Sequence, residues 1–241
     1  MTMFFITGEP VRGGVSLTTS LLDTQHDLNV MLPQSFIPDD ANPVFFNGLE
    51  YRFTKDPELL DDFIAARKRI YSLRDVTAKS VTANESWDYG LDTNVLTILD
   101  NGKCIGGGIV INRKNSTEGE FPFENRSFRL SNHFPQLNLI NTPHSLQKTI
   151  FVTPHPKYKN CTAMMYIQIY NFCRHNNIRY LFSTPHSVSA RRAIRTIHQL
   201  KLNIHAKVIN HITLPHEERW NGYPRKLFLI DLRSALDDSI F

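Results

Sequence analysis

The chain has 241 residues, 41% hydrophobic and 11% aromatic, which is enough to bury the core of one domain, or of one domain with an extension. It contains no apolar run long enough to span a bilayer, and its first residues lack the basic leader of a signal peptide, so we expect a cytoplasmic protein. The net charge of +4 suits an acidic partner or substrate and gives little support for nucleic-acid binding. The three cysteines lack metal-ligand spacing and are expected to be reduced thiols.

The first half of the chain predicts an extension followed by regular elements. Residues 1–48 are rich in loop signals and are interpreted as an N-terminal extension or cap, and residues 49–241 as the catalytic domain. A short strand is predicted over 49–54, followed by a helix with Asp56 as its N-cap and Pro57 at its first position. Residues 94–111 predict two strands joined by a turn at Asn101 and Gly102.

The second half of the chain alternates strands with helices. A strand is predicted over 149–153, and residues 161–176 form a helix that is apolar almost all round and therefore buried. A strand, a helix and two closing strands follow. This order predicts an α/β (α+β) fold with a mixed, mostly antiparallel central sheet flanked by helices. It fits the acyltransferase fold of the Gcn5-related superfamily, in which an acyl thioester lies where two central strands splay apart.

The helix over 58–74 carries a charged residue on its apolar face. That face is formed by residues at three-and-four spacing, namely Leu60, Phe63, Ile64, Ile70 and Tyr71. Arg67 lies in the middle of this face, and a buried guanidinium without a partner is costly. Its best local partners are Glu85, Asp88 and Asp92 in "ESWDYGLD". Two interpretations stay open, a fold-stabilising salt bridge beside a solvated acidic loop or a pocket for an amine-bearing substrate.

Several of these residues resemble the motifs of the acyl-homoserine lactone synthases of bacterial quorum sensing. In that family an arginine is followed four residues later by an aromatic residue, as Arg67 is by Tyr71, and two acidic residues stand three apart, as Glu85 and Asp88 do beside Trp87. The likeness covers roughly residues 49–232. The chain departs from the family by lacking a tryptophan after the aromatic residue, an arginine in "GGGIVI", and a glutamate and arginine before the "FV" strand. It therefore resembles a divergent member of the family.

The resemblance implies a specific reaction between two substrates. The amine of S-adenosylmethionine attacks the thioester of an acyl-carrier protein or acyl-CoA, and the methionyl carboxylate then displaces methylthioadenosine to close the lactone. No cofactor, metal or covalent enzyme intermediate is expected. We expect Glu85 or Asp88 to remove the proton from the amine. The substrate-binding residues are expected to include backbone N–H donors for the oxyanion and side chains that aim the amine, namely Arg67, Tyr71, Trp87, Asp92, Phe151, Val152 and Thr153.

Two basic segments are candidates for contacts with the acyl donor. The junction "HPKYKNCT" resembles in position the phosphate-binding turn of the acetyltransferase superfamily, but it has no glycine. Lys157, Lys159 and Thr162 are its expected phosphate ligands, with an ordinary basic loop as the alternative. The missing glycines favour a donor delivered by a carrier protein over free CoA.

The second basic segment is the helix "SARRAIRTIH". Arg191, Arg192 and Arg195 are expected to point outward from it, because alanines and isoleucines take the inner face. They form either a solvated face or a docking patch for an acidic acyl-carrier protein.

Two other functions remain open alongside the lactone synthase. The first is an N-acyltransferase of the same fold that acts on another amine, such as an amino acid. The second is a non-catalytic binding module that has lost its chemistry, which the departures from the family support. The triplet Gly106 to Gly108 is interpreted as a close backbone approach or a bulge within a strand, because no helix follows it as a dinucleotide site requires.

Overall fold

The computed structural model describes residues 15–17, 37–72, 92–114, 121, 123–124, 127–185, 187–199, 204–212, 214 and 225–232. Within these residues nine strands form one sheet. The strands are β1 (Val15–Leu17), β2 (Val44–Phe46), β3 (Leu49–Thr54), β4 (Thr93–Asp100), β5 (Lys103–Arg113), β6 (His144–Val152), β7 (Tyr180–Ser183), β8 (His205–Ile209) and β9 (Leu227–Asp231). The helices are α1 (Pro57–Ser72), α2 (Leu130–His133), α3 (Cys161–His175) and α4 (Ser187–Gln199). None of these helices is long and apolar enough to cross a membrane.

The sheet has the order β1-β2-β3-β4-β5-β6-β7-β9-β8. Only the pairs β1–β2 and β6–β7 are parallel, and the six other pairs are antiparallel. Helices pack on both faces, so the mixed, mostly antiparallel sheet expected from the sequence is confirmed. The expected strand over 149–153 is longer at its N-terminal end, because residues 144–148 join the same ladder.

Two hairpins at one side of the sheet are closed by Asn-Gly turns. Asn101 and Gly102 join β4 to β5 with φ values of 50° and 77°, and Asn47 and Gly48 join β2 to β3 with φ values of 56° and 70°. Both pairs fit the type I′ turn, which needs positive φ at both central residues. The first hairpin confirms the sequence prediction. The second places the expected domain boundary at residue 48 inside a hairpin of the same sheet.

Helix α1 begins as its sequence predicts. The Asp56 carboxylate accepts hydrogen bonds from the backbone N–H groups of Glu58 at 2.9 Å and Leu59 at 3.2 Å, which is the geometry of an N-cap. The helix packs on β4, β5 and β6. Its buried residues include Phe63, Ile70 and Tyr71, so the apolar face predicted from the spacing is the face that meets the sheet.

The sheet separates two apolar cores. On one face α1 and the segment 121–139 cover side chains that include Ile109, Leu146 and Phe151. On the other face α3 and α4 cover a core that includes Val110 and Leu181. Ten of the fifteen residues of α3 are buried, which confirms that this helix is central.

The glycine triplet of β5 lies where two strands approach each other closely. Gly107 has a φ of 153°, and a Cβ built on it would overlap the carbonyl oxygen of Leu96 in β4 and lie 3.0 Å from Cε2 of Phe63. The register between β4 and β5 also shifts next to Leu99, as it does at a β-bulge. The triplet therefore marks a close backbone approach, and the register shift lies just before it, at Ile105.

The two central parallel strands separate partway along their length. β6 and β7 are paired from His144 with Tyr180 to Gln147 with Ser183. Beyond this point β6 continues to Val152 along β5 alone, within the described residues, and its register on β5 shifts at Lys148. A bulge re-aims a strand locally, and here it occurs where β6 parts from β7. The fold thus provides the gap that the Gcn5-related arrangement implies.

Candidate active site

A cavity of about 430 Å³ occupies the gap between β6 and β7. Its walls come from β6 and the loop that follows it, the end of β7, the start of α3, one side of α4, and the last turn of α1. A concave site at the point where strands part is a usual place for a ligand in such sheets. Because five separate elements meet there, the cavity depends on the tertiary fold.

The cavity reaches both faces of the sheet. Phe151 packs on the α1 side, with its ring centroid 5.0 Å from that of Phe63 and 6.2 Å from that of Tyr71. Ile150 and Val152 pack against the core on the α3 side. Tyr71 lines the cavity from α1 and Tyr166 lines it from α3. The lining of the cavity therefore includes side chains from both faces of the sheet.

Two backbone N–H groups of β6, those of Ile150 and Val152, are aimed into this gap. The N–H of Thr153 donates to the carbonyl oxygen of Ile105 at 2.8 Å, and the Thr153 hydroxyl donates to the same oxygen at 2.9 Å. Successive residues of a strand direct their backbone groups to opposite edges. The N–H groups of Ile150 and Val152 therefore point away from β5 and toward the cavity. Those of Phe151 and Thr153 serve the β5 ladder.

The described residues that line the cavity give it a positive charge. Lys148, Lys159, Arg192 and Arg225 line it, and no aspartate or glutamate is among the described lining residues. The walls around these cations include the hydroxyl-bearing Thr162 at the start of α3. Positive charge in a cleft attracts anionic ligands, so the site suits a ligand that carries a phosphate or a carboxylate.

All but three of the residues predicted from the sequence, the exceptions being Arg67, Asp92 and Lys157, fall into three groups. Those that line the cavity are Tyr71, Phe151, Val152, Thr153, Lys159, Thr162 and Arg192. Arg191 and Arg195 are exposed as expected, but they are not part of the lining. The predictions for Glu85, Trp87 and Asp88 lie outside the described residues.

Arg67 is buried, as its place on the apolar face of the helix predicts. Its side chain is 3% exposed, and its guanidinium carbon lies 6.0 Å from the centroid of the Phe63 ring. It stands one turn before Tyr71 on the buried side of α1. Its expected pairing with Glu85 and Asp88 remains a prediction, because these two positions are outside the described residues.

The structure places Asp92 outside the lining of the cavity, and its expected role in substrate binding stays a prediction. Its carboxylate forms a salt bridge of 3.0 Å with Arg113 at the end of β5, and its carbonyl accepts from the N–H of Asn112. The β6 residues that line the cavity instead pair with β5 around Gly107, which is roughly 13–20 Å along that strand at about 3.3 Å per residue. Asp92 thus helps to fix the start of the hairpin and does not line the cavity.

The structure pairs Lys157 with a carboxylate outside the lining of the cavity, and its expected contact with the donor phosphate stays a prediction. Its ammonium lies 2.7 Å from the Asp100 carboxylate, which accepts a second hydrogen bond of 2.7 Å from the Tyr158 hydroxyl. These two bonds, led by that from Lys157, lower the pKa of Asp100 below its ordinary value. Lys157 does not line the cavity. It joins the loop before α3 to the tip of the β4–β5 hairpin and leaves Lys159 to face the cavity.

The sequence reasoning missed several residues of the site. Gln147, Tyr166 and Ser183 line the inner end of the cavity. No motif marks these three in the sequence. Only the side-chain direction on β6, α3 and β7 brings them together.

The three cysteines are buried free thiols, as expected for reduced cysteines. Burial raises the pKa of Cys104 to about 11 and also raises the pKa values of Cys161 and Cys173. A thiol acts as a nucleophile through its thiolate. These groups therefore stay protonated at neutral pH, and the cavity chemistry must be carried by other residues.

Comparisons with solved structures identify the fold. No protein-family model and no curated protein matches the sequence. The AHL synthase LasI is similar with a TM-score of 0.54 and 13% identity, over 80% of this chain and 94% of that one. FeeM, an N-acyl amino acid synthase from uncultured soil microbes, is similar with a TM-score of 0.51 and 10% identity, over 76% of this chain and 88% of that one. At these identities the likeness shows the fold, and the chain has the Gcn5-related acyltransferase-like fold that its order of elements predicts.

Proposed function

We propose that the protein is an acyltransferase that moves an acyl group from a pantetheine thioester to an amine, and that it acts as an acyl-homoserine lactone synthase. The observation that carries the proposal is the cavity between β6 and β7, which reaches both faces of the sheet and receives the N–H of Val152. Its lysines and arginines suit the phosphate of the donor. The likeness in fold to an AHL synthase and to an N-acyl amino acid synthase supports an acyl transfer.

The roles of the residues follow from the two faces of the cavity. The donor enters from the α3 side, where Lys159, Thr162 and Arg192 meet its phosphate. The N–H of Val152 donates to the thioester carbonyl, and this hydrogen bond strengthens as negative charge develops on the oxygen. The amine substrate, S-adenosylmethionine, approaches from the α1 side beside Tyr71. Glu85 or Asp88 takes the amine proton, either directly or through a water.

A second function is an N-acyl amino acid synthase. The structural likeness to FeeM favours it, as do the departures from the lactone-synthase motifs. The two reactions share the donor, the oxyanion contact and an amine nucleophile, and they differ in whether the acceptor cyclises. A binding module without chemistry is the third alternative, and the polar lining of the gap supports it less well.

The test is mass spectrometry of spent medium from a bacterium that expresses the chain. We expect an acyl-homoserine lactone that disappears in Arg67→Ala and Asp88→Ala variants. Val152→Pro removes one of the two N–H groups that face the gap, and we expect it to lower product by about 100- to 1,000-fold. Val152→Ala keeps that N–H and serves as the matched control.

Each other outcome identifies a different function. An N-acyl amino acid in place of the lactone supports the second function and refutes lactone synthesis. A folded protein that accumulates no acylated product, and that also transfers no acyl group from purified thioesters in vitro, refutes both enzymes and leaves the binding module. Thermal melting of each variant separates lost chemistry from lost folding.

A further inference from the structure

The loop between β6 and α3 holds its shape without any glycine. It reads "HPKYKN" over 155–160, and its residues that line the cavity include Tyr158 and Lys159. Phosphate-binding turns are often rich in glycine, because glycine lets backbone N–H groups close around the anion. This loop must therefore be fixed by contacts with another element, and those contacts lie on the β4–β5 hairpin.

Two attachments join the loop to the hairpin. Just before the loop, the N–H and the hydroxyl of Thr153 both donate to the carbonyl oxygen of Ile105, at 2.8 and 2.9 Å. Within the loop, the Lys157 ammonium and the Tyr158 hydroxyl both donate to one carboxylate oxygen of Asp100, each at 2.7 Å. The Asp100 side chain is 13% exposed, so these bonds are better shielded from water and salt than those of a surface ion pair. Asp100 thus anchors the loop from outside the described lining of the cavity.

Contacts inside the loop pass this anchorage on to Lys159. The backbone N–H groups of Lys157 and Tyr158 donate to Nδ1 and to the carbonyl oxygen of His155, at 3.2 and 3.0 Å. The rings of His155 and Tyr158 also pack at a centroid distance of 5.2 Å. Pro156–Tyr158 thereby form a short 3-10 helix. Because Lys159 directly follows this turn, its position depends on that of the turn.

We propose that Asp100 is a positioning residue for the acyl donor, because it holds the loop in the conformation that meets the phosphate of the pantetheine arm. This inference rests on the proposed function, in which Lys159 and Thr162 contact that phosphate. Asp100 acts through Lys157 and Tyr158 and does not contact the donor itself. A carboxylate on the neighbouring hairpin thus does for this loop what glycines do for a phosphate-binding turn.

The sign of the effect separates positioning from simple electrostatics. A carboxylate close to an anion repels it, so removal of the Asp100 charge from a loop that keeps its shape would strengthen phosphate binding. Removal would also release the Lys157 ammonium, which would then be available to the phosphate. If Asp100 holds the loop, its removal instead weakens phosphate binding, because Lys159 loses its place.

The test is isothermal titration of the full chain with two probes, 4′-phosphopantetheine and pantetheine, which differ only in the phosphate. It requires binding and no turnover. Asp100→Ala removes the acceptor of both loop bonds, and Lys157→Met breaks the same contact from the side of the loop. Lys103→Ala is the matched control, because Lys103 is exposed opposite Asp100 on the same hairpin and does not line the cavity.

We expect the wild type to bind phosphopantetheine more tightly than pantetheine by about 10- to 100-fold, the range that corresponds to hydrogen bonds with a charged group. In Asp100→Ala this ratio is expected to fall by about five- to tenfold, with little change for pantetheine. Lys103→Ala is expected to keep the ratio. Adding Lys157→Met to Asp100→Ala is expected to cause no further loss, because both substitutions break the same contact.

Several results would overturn the inference. They are a wild type without preference for the phosphate, a ratio that is unchanged or raised in Asp100→Ala, an equal fall in Lys103→Ala, and an equal loss of affinity for both probes. A further loss from Lys157→Met in the Asp100→Ala background would also overturn it, because Lys157 would then bind the phosphate directly. Thermal melting of each variant shows that the titrated protein is folded. If binding behaves as expected but no acyl group is transferred to any amine, the proposed function fails and the role of Asp100 in phosphate binding stands.

Discussion

Replacing Gly107 by alanine tests whether the close approach of β4 and β5 holds the centre of the sheet together. The added Cβ would overlap the carbonyl oxygen of Leu96 and lie 3.1 Å from the carbonyl carbon and 3.0 Å from Cε2 of Phe63. Carbon atoms normally pack at about 3.5–4.0 Å. The oxygen belongs to the backbone, so the two strands themselves must move apart.

The magnitude follows from two separate costs. Overpacking of a core costs about 1–3 kcal/mol. A side chain at the φ of 153° of Gly107 adds about 1–3 kcal/mol of backbone strain. We therefore expect Gly107→Ala to lower the free energy of unfolding by about 2–6 kcal/mol. Gly102→Ala is the matched control, because Gly102 also has positive φ, at 77°, but has nothing within 4 Å of the added Cβ.

The assay is urea unfolding of the wild type and both variants, followed by fluorescence and circular dichroism. Two-state analysis gives the free energy of unfolding of each protein. We expect the control to lose about 1–2 kcal/mol, the cost of a left-handed conformation for alanine. If Gly107→Ala loses no more than Gly102→Ala, the steric argument for the glycine triplet is wrong.

Three further outcomes are expected. Asp56→Ala should lower the free energy of unfolding by about 1 kcal/mol in urea, because it removes the N-cap of α1, and Asp56→Ser should restore most of it. The pKa of Asp100 in the folded protein is below its ordinary 3.8, so its lysine and tyrosine partners stabilise the protein above about pH 3.8 and lose this effect as the pH falls through the folded pKa. The urea midpoints of Asp100→Asn and the wild type should therefore differ at pH 6 and converge in acid. A difference that stays constant with pH would contradict the pairing. Arg192→Glu should raise the KM for the acyl donor by about three- to tenfold with little change in kcat, because Arg192 lines the cavity. Arg191→Glu is the control and should not raise this KM, because Arg191 is exposed on the same helix but outside the cavity lining. Equal effects of the two substitutions would favour a diffuse docking patch.

Much of the fold could be predicted because its signals are local. The Asn101–Gly102 turn, the Asp56 cap and the apolar spacing of α1 each depend on a few adjacent residues. The same reasoning applied to Asn47 and Gly48 would have found β2, since that pair carries the same turn signal. Without that turn, β2 was left within the predicted N-terminal extension.

The site was only partly predictable because its walls come from distant parts of the chain. Lys157 and Lys159 are two residues apart and look alike in the sequence, yet only Lys159 faces the cavity, because Asp100, nearly sixty residues away, holds Lys157. Asp92 is close in sequence to the predicted acidic pair, but it forms a salt bridge with Arg113 at the far end of β5. Long-range partners of this kind leave no trace in local spacing.

The sequence by itself determined the order of elements, the buried arginine of α1 and the class of fold. The tertiary structure alone decided where β6 leaves β7, which N–H groups face the gap, and which side chains close its inner end. The physical reason is that periodicity reports how one element is buried, whereas a cavity between strands depends on where their pairing stops. That point is set by the bulge at Lys148 and by the packing of α3 and α4 against the sheet.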